Sequence, residues 1–212
     1  MFAARNAFMT GSAAPAASVT FLGISSLQRV GTSFSYTVPT GASLLAVVVC
    51  SRSGSVTGSS VTVDSVAMTK SVNYKENSQG QTLDIYTKLN PTAGSRTIVP
   101  SGSITGTNTI VYALAYSNCV SLGTTYGYYT FGQTTAPITF GSVANSVGLY
   151  VAYQRTNFPI TMSGTGVTSR VSGNTATAAQ TYNIGDIPTG GTVTNSTGVL
   201  SPIIAGIQLL PT

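Results

Sequence analysis

Hydrophobic and polar positions alternate along most of this chain, and the alternation is that of strands. Residues 34–38 set Phe34, Tyr36 and Val38 on one face and Ser35 and Thr37 on the other, a period of two that suits a half-buried strand. The segment SLLAVVVCS (43–51) is instead a continuous apolar run, the pattern of a strand buried on both faces. VGLYVAY (147–153) is a second long apolar strand. Between and around them lie VTVDSVAMTK (61–70), with a tight turn at Asp64-Ser65, then TLDIYTKL (82–89), SRTIVP (95–100) and TIVYALAYS (109–117). YGYYTF (126–131), PITF (137–140) and the closing IIAGIQLL (203–210) complete the series. Helix formers never accumulate at the spacing of a helix face. Roughly ten to twelve short strands with turn signals between them predict an all-β fold, an antiparallel two-sheet β-sandwich of jelly-roll-like type. Its expected core holds Leu44, Val47, Val49, Ile110, Tyr112, Leu114, Val147, Leu149, Val151, Ile204 and Leu209. The register of strands around residues 160–200 stays open, and no repeat of fixed period is visible.

The one break in composition falls near Ser18. It divides an extended N-terminal arm (1–18) from a sandwich domain (19–212). The arm carries Phe2, Phe8 and Met9 ahead of an Ala/Pro/Gly/Ser spacer. Each such side chain buried against a neighbour contributes roughly 1.5–3 kcal/mol, so the three would anchor a subunit. The other reading is that the arm folds back on its own sandwich. Asn6, Thr10, Gly11 and Ser12 interrupt any apolar core of a leader peptide, so no cleaved signal is expected. No run reaches the roughly 18 apolar residues that would cross a bilayer as a helix, and no membrane partner is expected.

Composition narrows the chemistry. Charged residues are 6% of the 212 positions, against about 25% in an ordinary soluble domain, and more than a quarter of the residues are Ser or Thr. A coat of hydroxyls repels other copies weakly, which suits a protein packed against neighbours. There is no His, so no imidazole serves as base or metal ligand. Ser and Thr are poor nucleophiles without a base, and none of the lysines stands in a Ser-x-x-Lys spacing. The chain does not read as an enzyme. The net charge of +5 comes from scarce acids, and the nine basic residues are scattered; no run tracks a phosphate backbone, and nucleic acid is not an expected partner.

Few constellations remain. Tyr126, Tyr128, Tyr129 and Phe131 form an aromatic strand suited to a subunit interface or to stacking on a sugar, against the plainer reading of core and rim. Cys50 and Cys119 would close a loop of about 70 residues if bridged, stabilising by roughly 4 kcal/mol; free thiols at strand ends are the favoured reading. Asp64 and Asp84 lack the closely spaced acids of a calcium loop, so no metal and no cofactor is expected. GTGVTS (164–169) and GDIPTGG (185–191) are Gly-rich without the lysine of a phosphate loop, and Asn195-Ser196-Thr197 matches a glycosylation triplet that is common by chance in such a chain.

Several of these segments occur in a suggestive order: YTVPTGASLLAVVVCSR, SSVTVDSVAMTK, LDIYTKLNPTAGSRTIVPSGS, TIVYALAYSN and the closing SPIIAGIQLLPT. In residues 36–118 and the last dozen or so, the chain resembles a jelly-roll-like β-sandwich module of tailed-bacteriophage virion proteins and some bacterial surface proteins. The resemblance implies an exterior capsid-decoration or tail-appendage subunit, assembled in the host cytoplasm and resident in the virion. Its implied partners are other capsid or tail subunits, in a homo-oligomer that we expect to be a trimer. The alternative is an adhesion module that recognises a host-surface glycan through its tyrosines.

Overall fold

The computed structural model describes residues 17–52, 59–76, 80–103, 106–129, 133–156, 158–175, 179–188, 190–197 and 203–211. Apart from one 3-10 turn at Gly106–Asn108, its regular elements are strands. In the first part of the chain these are β1 (Thr20–Ile24), β2 (Phe34–Val38), β3 (Leu44–Ser51), β4 (Ser60–Val63), β5 (Val66–Ala67), β6 (Thr69–Glu76), β7 (Gln81–Leu89), β8 (Gly94–Ser101) and β9 (Thr109–Ser117). In the second they are β10 (Ser121–Tyr129), β11 (Thr135–Thr139), β12 (Val147–Gln154), β13 (Ile160–Ser163), β14 (Thr168–Thr175), β15 (Gln180–Pro188), β16 (Thr192–Thr197) and β17 (Ile203–Leu210). The antiparallel all-β sandwich expected from the pattern is present, and it is built twice.

Four sheets stack in layers. Sheet I has the order β2-β8-β4-β5, sheet II β1-β9-β3-β7-β6, sheet III β10-β17-β12-β15-β14 and sheet IV β11-β16-β13. Three apolar cores separate them. One, around Val38, Val47, Ile98 and Tyr86, lies between I and II. Another, around Phe140, Tyr150, Val193 and Ile204, lies between III and IV. The largest, with Leu44, Val48, Leu114, Leu149, Val151 and Ile207, joins II to III. The layering accounts for the two kinds of pattern. Strand β2 belongs to an outer sheet and buries only alternate residues, whereas β3 belongs to an inner sheet and is buried throughout. Val147, at the start of β12, is only half-buried, while the rest of the predicted core is buried.

Each half winds like a rolled-up hairpin, in jelly-roll-like fashion. The first strand pairs with the last, the second with the next to last, and the third with its own counterpart: β1·β9, β2·β8 and β3·β7 in one half, β10·β17, β11·β16 and β12·β15 in the other. The strand orders of II and III correspond position by position, and so do those of I and IV except for β5. Register carries the match to residues. Leu44 sits between Leu89 and Tyr116, and Val147 between Pro188 and Leu209. The bulge between Lys70 and Val72 of β6 recurs between Ser169 and Val171 of β14. The turn before β7 has Gly80 at φ 64°, and the turn before β15 has Ala179 at φ 46°. After those turns Gln81-Thr82-Leu83-Asp84-Ile85 answers Gln180-Thr181-Tyr182-Asn183-Ile184.

The halves meet edge over edge. β6 lies against β10 and β17, where the Tyr74 ring covers Gly127. At the opposite edge β1 meets β14, with the Arg170 guanidinium 4.3 Å from the centre of the Phe21 ring. Since β1 corresponds to β10 and β6 to β14, exchanging the halves turns one contact into the other. The two halves are therefore related by an approximate twofold that runs along the strands through the central core.

Candidate interaction surface

The aromatic strand is β10, the edge of sheet III, and it divides its rings between two faces as alternation requires. Tyr126 and Tyr128 pack on the core between III and IV. The Tyr126 hydroxyl accepts a hydrogen bond from the Gly141 amide at 2.9 Å, and its ring meets Phe140 edge-on at 4.8 Å. Tyr129 points to the other face, near Tyr74, whose hydroxyl is pushed up by burial and by Glu76, Tyr128 and Tyr129. The structure thus splits the sequence-nominated tyrosines instead of lining them up as one stacking platform. Phe131 and the arm residues Phe2, Phe8 and Met9 lie outside the described residues.

The faces turned outward are more uniform. In sheet IV the outward positions of β11 and β16 are Thr135, Pro137, Thr139, Thr192, Thr194 and Ser196, and β13 adds Thr161 and Ser163. In sheet I, Ser35 and Thr37 on β2 stand opposite Thr97 and Ser95 on β8, with the hydroxyls of Ser35 and Ser95 2.8 Å apart. None of these outward positions is charged. Thr is favoured in strands because its branched Cβ fits the pleat, so the sheet itself selects this coat. The β10 edge, from Ser121 to Tyr129, is likewise free of charge and of Pro, the two commonest guards of an exposed edge.

Two of the acids, Asp84 and Asp186, are buried, and each is held by a partly exposed cation. Asp84 on β7 accepts hydrogen bonds from Ser59 Oγ (2.5 Å), Lys70 Nζ (3.0 Å) and Asn73 Nδ2 (2.6 Å). Lys70 Nζ also donates to Ser59 Oγ at 2.9 Å, which in turn lies 2.7 Å from the Tyr86 hydroxyl. A Ser-x-x-Lys spacing does not capture this contact, because Ser59 precedes β4 while Lys70 lies on β6, eleven residues on. Burial would lower the Lys70 ammonium, but its bonds to Tyr86 and Asp84 and the Asp84 charge outweigh that and raise it. Lys70 thus spends its ammonium donors on both Ser59 and Asp84. In the other network Arg170 donates to both oxygens of Asp186, Nε at 2.8 Å and Nη2 at 2.9 Å. That pair lines a cleft of about 440 Å³ with Ser18, Val19, Thr168 and Pro188.

The remaining nominated residues fall apart. Cys50 and Cys119 are free thiols. A bridge between them is excluded: Cys50 pairs with Ile110 near one end of β3, while the Cys119 amide binds Ser43 Oγ before its other end. Seven strand residues at about 3.3 Å each leave far more than the roughly 7 Å that a disulfide spans. Burial pushes the Cys119 thiol up to about 11. Asp64 is occupied in the β4–β5 turn, where it accepts the Thr97 amide at 2.9 Å and Arg96 Nη1 at 3.1 Å. Those bonds, the backbone one first, lower its carboxyl. Asp64 and Asp84 thus serve separate partners and form no shared cage. Asn195 of the glycosylation triplet is fully buried between sheets III and IV. Compared with known proteins, no family model, no curated protein and no solved structure matches the chain.

Proposed function

We propose that this chain is a structural subunit of a tailed-phage particle, an exterior decoration or tail-appendage protein that lies between other virion subunits. The observation that carries the reading is the uncharged hydroxyl coat on both outer faces of the stack. Two such faces on opposite sides let one copy lie against neighbours on either hand, with little charge to repel or desolvate. The resemblance in residues 36–118 supplies the particle, and the apolar tip of the arm supplies the anchor. The glycan-adhesion reading has less to stand on, since Tyr126 and Tyr128 give their rings to the core.

The test is incorporation. Particles assembled with the full chain should carry it through gradient purification at a fixed copy number, and a chain lacking residues 2–14 should fold yet be lost from them. A full chain that never bands with particles overturns the proposal; a truncated chain that incorporates normally removes the arm from the mechanism.

A further inference from the structure

Sheets III and IV leave a cleft open along one side of the stack. β13 is the edge strand of IV and β14 that of III, and between them lies a space of about 280 Å³. Pro159 and Ile160, at the start of β13, form one wall, and Ser172, Asn174 and Thr181 of β14 and β15 line the other. Such a volume is close to the lower end of small-molecule sites and admits a single sugar ring. None of the lining residues is charged. Phe158, the residue before the first wall, is one of the few large apolar side chains exposed among the described residues, which sets an aromatic ring at the rim.

A second feature is independent of the cleft's shape. Asn174 stands opposite Thr181, and Thr181 opposite Gln154, so the three form a row across β14, β15 and β12. Opposed residues project from the same face with their Cβ atoms about 5 Å apart, and the row therefore leads from the cleft inward. It ends on a carboxamide that the fold leaves unsatisfied. Gln154 is 1% exposed, and neither its oxygen nor its nitrogen has a hydrogen-bond partner. Asn195 of the facing strand β16 is equally buried and unpartnered. It sits beside Ala136, which shares a core with Ala152, two residues before Gln154. Thr156 adds a buried hydroxyl without a partner, while its carbonyl accepts Thr181 Oγ1 at 2.7 Å. Polar groups this deep are nearly always satisfied, and those that are not mark the place of a water or of a ligand's polar atoms.

We propose that this cleft binds a neutral saccharide, with the ring of Phe158 against the C–H face of the sugar and Asn174, Thr181 and Gln154 receiving its hydroxyls. Carboxamides and hydroxyls both donate and accept, as sugar hydroxyls do. An ionic ligand would find no counter-charge among the lining residues, and an apolar one would leave the buried carboxamides unpaired. Thr181 gives its proton to Thr156 and keeps lone pairs with which to accept. Gln154, deeper in the row, is reached by a hydroxyl or through a bridging water. The aromatic strand takes no part, since none of Tyr126, Tyr128 and Tyr129 lines the cleft. The site stands whether or not the chain is a virion subunit.

The experiment is titration of the isotope-labelled full chain with glucose, galactose, mannose and N-acetylglucosamine, followed by backbone amide NMR shifts, glycerol being the reference polyol. Saturable shifts with at least one sugar are expected at residues 158–160, 172–174 and 181–182, with none from glycerol at equal concentration. Phe158→Ala should weaken binding about tenfold, and Tyr129→Phe should leave it unchanged. Gln154→Leu should weaken it severalfold while unfolding at no lower urea concentration, because an apolar side chain of similar size removes a buried unpaired amide. If Gln154→Leu fails to fold, Phe158→Ala decides alone, because that side chain is exposed. No saturable shift with any of the four sugars, shifts that glycerol reproduces, or undiminished binding in Phe158→Ala overturns the site.

Discussion

The two halves of this molecule share a winding and differ in where they keep charge. Asp84 in the first half stands where the second has Asn183, and Asp186 in the second stands where the first has Thr87. The partners follow suit. Arg170 fills the bulge of β14, and its counterpart Ser71 in β6 meets Thr87 instead, hydroxyl to hydroxyl at 2.5 Å. Where Lys70 reaches Asp84, the second half has the short Ser169 instead, and Tyr150 donates to Asn183 Oδ1 at 3.1 Å. Each half thus buries one acid with a cation, on opposite sides of its inner sheet. Packing is exchanged in the same way. Val47 faces Tyr86 in one half and Tyr150 faces Gly185 in the other, so the bulky member of the pair has changed strand. A duplicated backbone therefore tolerates different cores if volume and polarity are conserved pair by pair, which is how close-packed interiors accept change.

Giving one half the residue of the other probes that rule. The largest effect is expected for Gly185→Tyr, which installs the residue of the first half. A Cβ at Gly185 overlaps the Thr168 carbonyl and the Tyr150 hydroxyl, so stability measured by urea unfolding should fall by more than about 3 kcal/mol. Adding Tyr150→Val should recover part of the loss; no recovery would mean that the exchange is not pairwise.

A smaller loss, about 2 kcal/mol, is expected for Arg170→Ser. It leaves the Asp186 carboxylate buried without its cation and removes the stacking on Phe21. Combining Arg170→Ser with Asp186→Thr should restore most of the stability, since a neutral pair replaces a buried ionic one; a double variant no better than the single would break the analogy with the first half.

The smallest is Asp84→Asn, at about 1–2 kcal/mol, because the carboxamide keeps some of the hydrogen bonds and loses the charge. This variant also carries a pH signature. The folded ammonium of Lys70 is raised, so its contribution is complete below the ordinary lysine value of about 10.4 and is lost as pH rises through the folded value. Unfolding followed from pH 9 to 12 should show wild type losing its margin over Asp84→Asn across that window. A constant margin would remove Lys70 as the cause.

Much of the fold was legible residue by residue. Phe34, Tyr36 and Val38 declared an outer strand by alternating, and SLLAVVVCS declared an inner one by not alternating. β13 to β16 were obscure for the converse reason. Thr, Ser, Asn and Gly fill their outward and edge positions, and β15 interrupts its apolar run with Asn183, Gly185 and Asp186, each tied to a specific partner. Residue identity also hid the repeat. Gln-Thr before β7 and β15 is too short a match to notice until register aligns it.

By itself, then, the sequence determined the class of secondary structure, the strands buried on two faces and the absence of imidazole chemistry. Those follow from local alternation and composition. Tertiary structure alone decided that two windings stack on a twofold, which acid keeps which cation, and that the cysteines stand at opposite ends of one strand. These depend on contacts between residues far apart in the chain, set by how two sheets fill the space between them.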